Sequence, residues 1–234
     1  MAMRIAGLTR SLVALARRLR EANPDAVTRQ RRLIGGSGLF DLSYYLIQQG
    51  DVHAAGVDPV QHFCDYGWRE GRRPNACFDP VWYRELYLAR APNVNPLAHY
   101  IRAGEAAGCQ PIAYFDPAWY RRAYALPRGA SALAHYLANR RSQRFAPNPN
   151  FDLAFYMERH GDEIGPNRDP FAHLMRCGAA RDLDPSPAFN SRAYRAASMP
   201  ATNEAATDLA MHERQVPLVH FLDASARAAA RARS

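Results

Sequence analysis

The chain contains no lysine: all 30 of its basic residues are arginine. This absence excludes a P-loop lysine on a nucleotide phosphate, a kinase-type strand lysine, and a Schiff base to pyridoxal phosphate or a carbonyl substrate. No C-x-x-C pair occurs among Cys64, Cys77, Cys109 and Cys177, and a disulfide framework is superfluous in 234 residues, so the four read as reduced thiols. No run approaches the ~20 apolar residues of a membrane-spanning helix. No alternating strand pattern is visible either. An apolar stretch from Ile5 to Ala16 follows a basic start, but Arg10 interrupts it and Arg17-Arg18 follow it, which reads against a signal peptide. The expected compartment is the cytoplasm.

What the chain does have is a globular share of apolar residues, 48%, and enough length for about one and a half to two domains. Its formal charge of +8 is uneven. Residues 1–33 carry eight arginines against Glu21 and Asp25, and residues 224–234 add Arg227, Arg231 and Arg233, so the body between sums to −1. A nearly neutral body with basic ends argues against nucleic acid as a partner, which would want a basic stripe on the folded surface.

A repeat organises the body. Phe-Asp recurs at Phe40-Asp41, Phe78-Asp79, Phe115-Asp116 and Phe151-Asp152, with a variant at Phe189-Asn190. Five residues after each phenylalanine stands Tyr45, Tyr83, Tyr120, Tyr156 or Tyr194, and a histidine marks a second element at His62, His99, His135, His173 and His220. Two independent markers share one period of about 37 residues, the signature of tandem units. The expected units cover about 39–77, 78–114, 115–150, 151–188 and 189–223, the last with an insertion between Pro200 and Gln215.

Each unit reads as two helices. Asp41, Asp79, Asp116 and Asp152 stand as N-caps of the first, with Pro80 and Pro117 at the first helical position, where a missing amide costs nothing. Asp58-Pro59, Asn95-Pro96 and Asp169-Pro170 announce the second in the same way. Gly67, Gly104 and Gly178, five residues past the histidine, are read as left-handed helix stops. The third unit has Ser131-Ala132 and Arg140 at these places, which predicts an irregular last turn. Pro74, Pro111, Pro147 and Pro185 mark the connectors. The expected fold is all-α, tandem helix pairs forming a short α-solenoid or a compact helical array. Residues 1–33 form a basic amphipathic arm in this reading, 34–38 a Gly-rich hinge, and 224–234 an Ala/Arg-rich tail.

The strings GLFDLSYYLIQQGDVHAAGVDPVQHFCDYGWREGRRPN from Gly38 to Asn75, FDPVWYRELY and NPLAHYIRAG resemble a bacterial tandem repeat. That repeat runs roughly FD-x-x-x-Y … P-L-x-H-Y … G-x-x-E-G-R-x-P and occurs in polysaccharide-biosynthesis proteins, often beside glycosyltransferase domains, and in some large surface proteins. The first unit matches almost throughout, and later units decay. The resemblance implies a module rather than an activity, because family members carry catalysis in a separate domain.

Candidate sites follow from residues that the periodic core does not absorb. Trp68, with Arg69, Glu70, Arg72 and Arg73 in a connector, is the candidate binding surface, the alternative being a cation–π and salt-bridge lock between repeats. Ile5, Leu8, Leu12, Leu15 and Leu19 form an apolar seam beside arginines, the candidate docking arm for a partner helix, with peripheral membrane contact as its other use. The histidines are expected to pack in the core with a ring nitrogen bonded to connector backbone. Stacked helices lie ~8–10 Å apart, whereas zinc ligands sit ~2 Å from the ion, so equivalent histidines of neighbouring units are not expected to share one; no metal is expected, and no cofactor. His62 and Cys64, two apart on a helix, point to different sides and do not make a catalytic dyad. The functional expectation is a non-catalytic adaptor that binds a glycosyltransferase or another polysaccharide-assembly enzyme. A surface or secreted structural or carbohydrate-binding repeat protein is the alternative, and an active glycosyltransferase fragment the least favoured reading.

Overall fold

The structure, a computed structural model, describes residues 24–199 and 213–232. Among them the chain is all α: α1 (Pro24–Gly35), α2 (Leu42–Gln48), α3 (Gly50–Ala54), α4 (Pro59–His62), α5 (Pro80–Tyr87), α6 (Pro96–His99), α7 (Pro117–Ala123), α8 (Ala132–Asn139), α9 (Leu153–Ile164), α10 (Pro170–Arg181), α11 (Ser191–Ser198) and α12 (Pro217–Arg231). None is long and apolar enough to cross a membrane. The residues fall into two compact units divided between Ile112 and Ala113, the first holding α1–α6 and the second α7–α12.

The helices begin where cap chemistry dictates. Asp41 accepts from Tyr44 N, Asp58 from Gln61 N, Asp79 from Val81 N and Trp82 N, Asn95 from Leu97 N and Ala98 N, and Asp116 from Trp119 N. Ser131, Asp152, Asp169 and Asn190 do the same for α8 to α11. Each such bond satisfies a first-turn amide that has no partner within its helix, worth about 1 kcal/mol.

The two sequence markers meet in the core. The ring of each repeated phenylalanine lies 4.9–5.4 Å from that of its tyrosine, from Phe40–Tyr45 to Phe189–Tyr194. Tyr45, Tyr83, Tyr120 and Tyr156 are fully buried, and burying side chains of this size stabilises by ~1.5–3 kcal/mol each. Every tyrosine hydroxyl then shares a hydrogen bond with Nδ1 of the repeated histidine, at 2.8–2.9 Å in all five pairs: Tyr45–His62, Tyr83–His99, Tyr120–His135, Tyr156–His173 and Tyr194–His220. The expected connector-backbone partner of the histidines is therefore replaced by the tyrosine, because the first helix places the hydroxyl against the ring.

The connectors close the repeats. The amide of Asp41 donates to Pro74 O at 2.9 Å, Asp79 to Pro111 O at 3.1 Å, Asp116 to Pro147 O at 3.1 Å and Asp152 to Pro185 O at 2.9 Å. Asn75 and Asn148 add side-chain amide bonds to the Leu39 and Tyr114 carbonyls. The accepting prolines and both asparagines are buried, and their polar groups have traded water for protein partners, as buried backbone must.

Three sequence expectations are corrected. Gly67 and Gly104 are not left-handed stops: they lie in π-helical turns, Phe63–Gly67 and Tyr100–Gly104, that continue α4 and α6. What requires glycine there is the tyrosine hydroxyl, which a side-chain carbon on Gly67 or Gly104 would overlap. Gly178 lies inside α10, which runs on to Arg181. The left-handed residues come later, at Gly71, Gly108, Gln143 and Asp182. Gln143 follows a 3-10 turn, Arg140–Ser142, which is the irregular end expected for the third unit.

The second and third corrections concern the arm and hinge. Residues 24–35 form α1, which packs on α4, its π-helical turn and α6, with Ile34 fully buried and Arg31 donating to both carboxylate oxygens of Asp65 at 3.0 and 2.8 Å. They belong to the body. The Gly35–Gly38 stretch is a bonded helix end in which Ser37 Oγ donates to Ile34 O and accepts from Leu39 N. The seam residues Ile5, Leu8, Leu12, Leu15 and Leu19, and most of the 200–215 insertion, lie outside the described residues.

Candidate functional site

The cluster around Trp68 forms the lock and not a surface. Trp68 is 1% exposed, and its indole donates to Cys64 O at 3.2 Å. Arg69 lies over the ring with its guanidinium carbon 4.0 Å from the centroid, and Arg84 approaches it to 5.4 Å. Arg72 reaches Asp51 through two bonds of 2.7 Å, Gln49 at 2.8 Å and Glu70 at 2.6 Å. These bonds hold the Asp51 carboxyl down to about 2. Arg73 donates to Asp79, the cap of α5, at 2.7 Å in a buried pair. All four charged residues are engaged within the protein, so Trp68, Arg69, Glu70, Arg72 and Arg73 do not offer the contact face expected of them.

The other nominal chemistry is likewise engaged. His62 Nδ1 is bonded to Tyr45, and burial lowers the pKa of the ring. Burial also pushes the Cys64 thiol up to about 12, leaving a protonated thiol and no nucleophile–base pair. The hydroxyls of Tyr45, Tyr83, Tyr120 and Tyr156 are pushed above the ordinary phenol range by the same cause. They serve as neutral bonding partners. All four cysteines are free, as expected.

No family model, curated protein or solved structure matches the chain. The geometry singles out the fourth repeat.

An open cleft of about 450 Å³ lies in the second compact unit, lined by Arg140, Arg141, Arg168 and Arg176 with Asn167 and His173. Arg140 pairs with Asp169 at 3.3 Å. Arg141, Arg168 and Arg176 are exposed and have no carboxylate partner among the described residues. Asp169, meanwhile, caps α10 through Phe171 N and Ala172 N; burial raises its pKa against the pull of Arg140. The cleft holds a surplus of three positive charges, a setting that recognises carboxylate or phosphate through planar guanidinium pairs.

His173, which lines the cleft, also belongs to a second group. Ligand atoms of Glu163, His173 and Cys177 lie within 4.8 Å of one another. His173 is 2% exposed; its Nδ1 bonds Tyr156, and its Nε2 lies 3.2 Å from a Glu163 oxygen that also accepts from Arg181 at 2.6 Å. In the sequence His173 stands only as a repeat position, and no motif marks Glu163, Cys177 or the cleft arginines as a site. One signal was present: the departure of the third unit from the glycine pattern, at Arg140.

Proposed function

We propose that the chain is a non-catalytic interaction module of bacterial surface-polysaccharide assembly, and that the cleft of Arg140, Arg141, Arg168 and Arg176 is its contact. The reading takes its biological setting from the resemblance of residues 38–75 to the repeat found beside glycosyltransferase domains. The observation that carries it is the cleft: three arginines without carboxylate partners among the described residues face an open hollow, while the tyrosines, histidines and cap carboxylates are engaged in holding the repeats. An acidic face of an assembly enzyme fits such a lining. A second reading, direct binding of an acidic polysaccharide, draws on the same guanidinium chemistry.

The test is a crosslinking pull-down from native cells with the intact chain and with R141Q/R168Q/R176Q. Recovery of glycosyltransferases or exporter subunits by the first and their loss from the second is the expected result. Retention of the intact chain on an immobilised acidic glycan, with no protein recovered, transfers the assignment to the second reading. Sugar transfer by the purified chain from a nucleotide-sugar donor overturns both.

A further inference from the structure

The fourth repeat departs from its siblings in two places that converge. Its first helix, α9, has 12 residues, where α2, α5, α7 and α11 have seven or eight. The added turn carries Glu163 up to the repeated histidine. On α10, Cys177 follows His173 by four residues and so shares its face. At that place the other repeats have Tyr66, Ala103, Asn139 and Ala224, none of them a soft donor. The expectation of no metal was drawn from the distance between histidines of neighbouring repeats and does not reach donors within one.

We propose that Glu163, His173 and Cys177 form a binding site for a divalent transition metal, with zinc the ion favoured by the donor set. One oxygen, one imidazole nitrogen and one thiolate are zinc donors, and three protein ligands leave a fourth position for water or a donor from a partner. Tetrahedral ligands ~2.0–2.3 Å from zinc stand roughly 3.3–3.7 Å apart. The present spread of 4.8 Å closes to this by small rotamer changes of Glu163 and Cys177, both of which are accessible.

The state of His173 is the independent observation. Its Nε2 is buried and makes no hydrogen bond of good geometry, its nearest polar neighbour being a Glu163 oxygen at 3.2 Å that Arg181 already holds. Its Nδ1 is meanwhile held at 2.8 Å by the Tyr156 hydroxyl. In the tautomer whose Nδ1–H donates to the Tyr156 hydroxyl, the ring presents a bare Nε2 lone pair in a set direction, which is how proteins orient a metal-ligating histidine. An ion at Nε2 would give this buried atom a partner of better geometry. On binding, the Cys177 thiol loses its proton to solvent as the metal–sulfur bond forms, and Glu163 exchanges its bond to Arg181 for one to the ion. The charges of carboxylate, thiolate and dication then cancel.

The test uses the untagged full chain, stripped with chelator and titrated with Zn(II) and with Co(II). One equivalent of zinc should bind with release of a proton. The cobalt form should show a sulfur-to-metal charge-transfer band in the near ultraviolet. Cys177→Ala should abolish that band, and Glu163→Gln should weaken affinity tenfold or more. Both changes lie on accessible side chains, and a wild-type circular dichroism melt establishes that the variants fold. Cys64→Ala should bind as the wild type does. No binding above background by the wild type, or unchanged binding by a folded Cys177→Ala/Glu163→Gln double variant, overturns the site; neither result bears on the pull-down.

Discussion

Replacing Gly104 with alanine isolates the interaction that recurs most faithfully through the chain. At an unobstructed helical position this change stabilises by ~0.5–1 kcal/mol, because glycine has more backbone freedom to lose on folding. At Gly104 the new methyl meets the Tyr83 hydroxyl, which is bonded to His99 at 2.8 Å and cannot move without giving up that bond. Overpacking costs about 1–3 kcal/mol, and a buried group deprived of its partner about 1–3 kcal/mol more. Less the backbone gain, the expected loss is about 1–5 kcal/mol in the free energy of unfolding. Tyr83→Phe alone removes the hydroxyl and leaves His99 Nδ1 without its bond, costing about 1–3 kcal/mol. The double variant should cost no more than Tyr83→Phe, since the methyl then occupies the place of the missing oxygen, a coupling as large as the whole Gly104→Ala loss. Urea unfolding followed by far-ultraviolet circular dichroism measures all three. Gly50→Ala, whose new carbon meets nothing within 4 Å, is the control and should be neutral or slightly stabilising. Wild-type stability of Gly104→Ala, or additive losses in the double variant, would refute the steric account.

Two further predictions concern charge. Burial lowers the pKa of His62 and His160 below the ordinary imidazole value, so the unfolded chain takes up protons first as pH falls; stability should be full above about pH 6.5 and decline below it. Urea midpoints compared on either side of that value should show the decline, reduced in His160→Gln. Arg73→Met leaves the buried Asp79 carboxylate without its partner and should cost about 3 kcal/mol, whereas Arg73→Lys should retain part of the pair; calorimetric melts showing equal stability of all three forms would count against a buried lock.

Much of this architecture was legible because its markers are local. Asp41, Asp79 and Asp116 announce helix starts within three residues of the amides they bond, and Pro74, Pro111, Pro147 and Pro185 stand where the connectors turn out to close. The tyrosine–histidine bond was not legible as a pair, although both partners were marked. The two lie on separate helices, and only packing brings them together. The misreading of Gly67 and Gly104 has the same root: glycine next to a helix end suggests a left-handed stop, yet here it clears space for an atom 21 or 22 residues earlier. The true left-handed positions carry glycine twice, glutamine once and aspartate once, so no residue type marks them. Trp68 misled because it follows a helix and is surrounded by charge, and the folded chain turns that charge inward on the ring. The arginine cleft gathers residues 140–176, from three separate segments, into one hollow that periodicity does not register.

The connector bonds have a consequence for how such a chain is made and lengthened. Each joins an opening aspartate to a proline carbonyl 31–33 residues later, so a repeat is a self-closing loop whose backbone seam lies within its own span. Contacts of such short reach favour rapid folding, because little loop entropy is lost before the seam forms. On the ribosome, a loop can shut as soon as its own connector has emerged, without waiting for the next. Whole loops can be duplicated or deleted at the seam while preserving the same kind of junction. The chain can thus be counted in clasped links, and divergence within one link, such as the longer α9 of the fourth, leaves the clasp of the others intact.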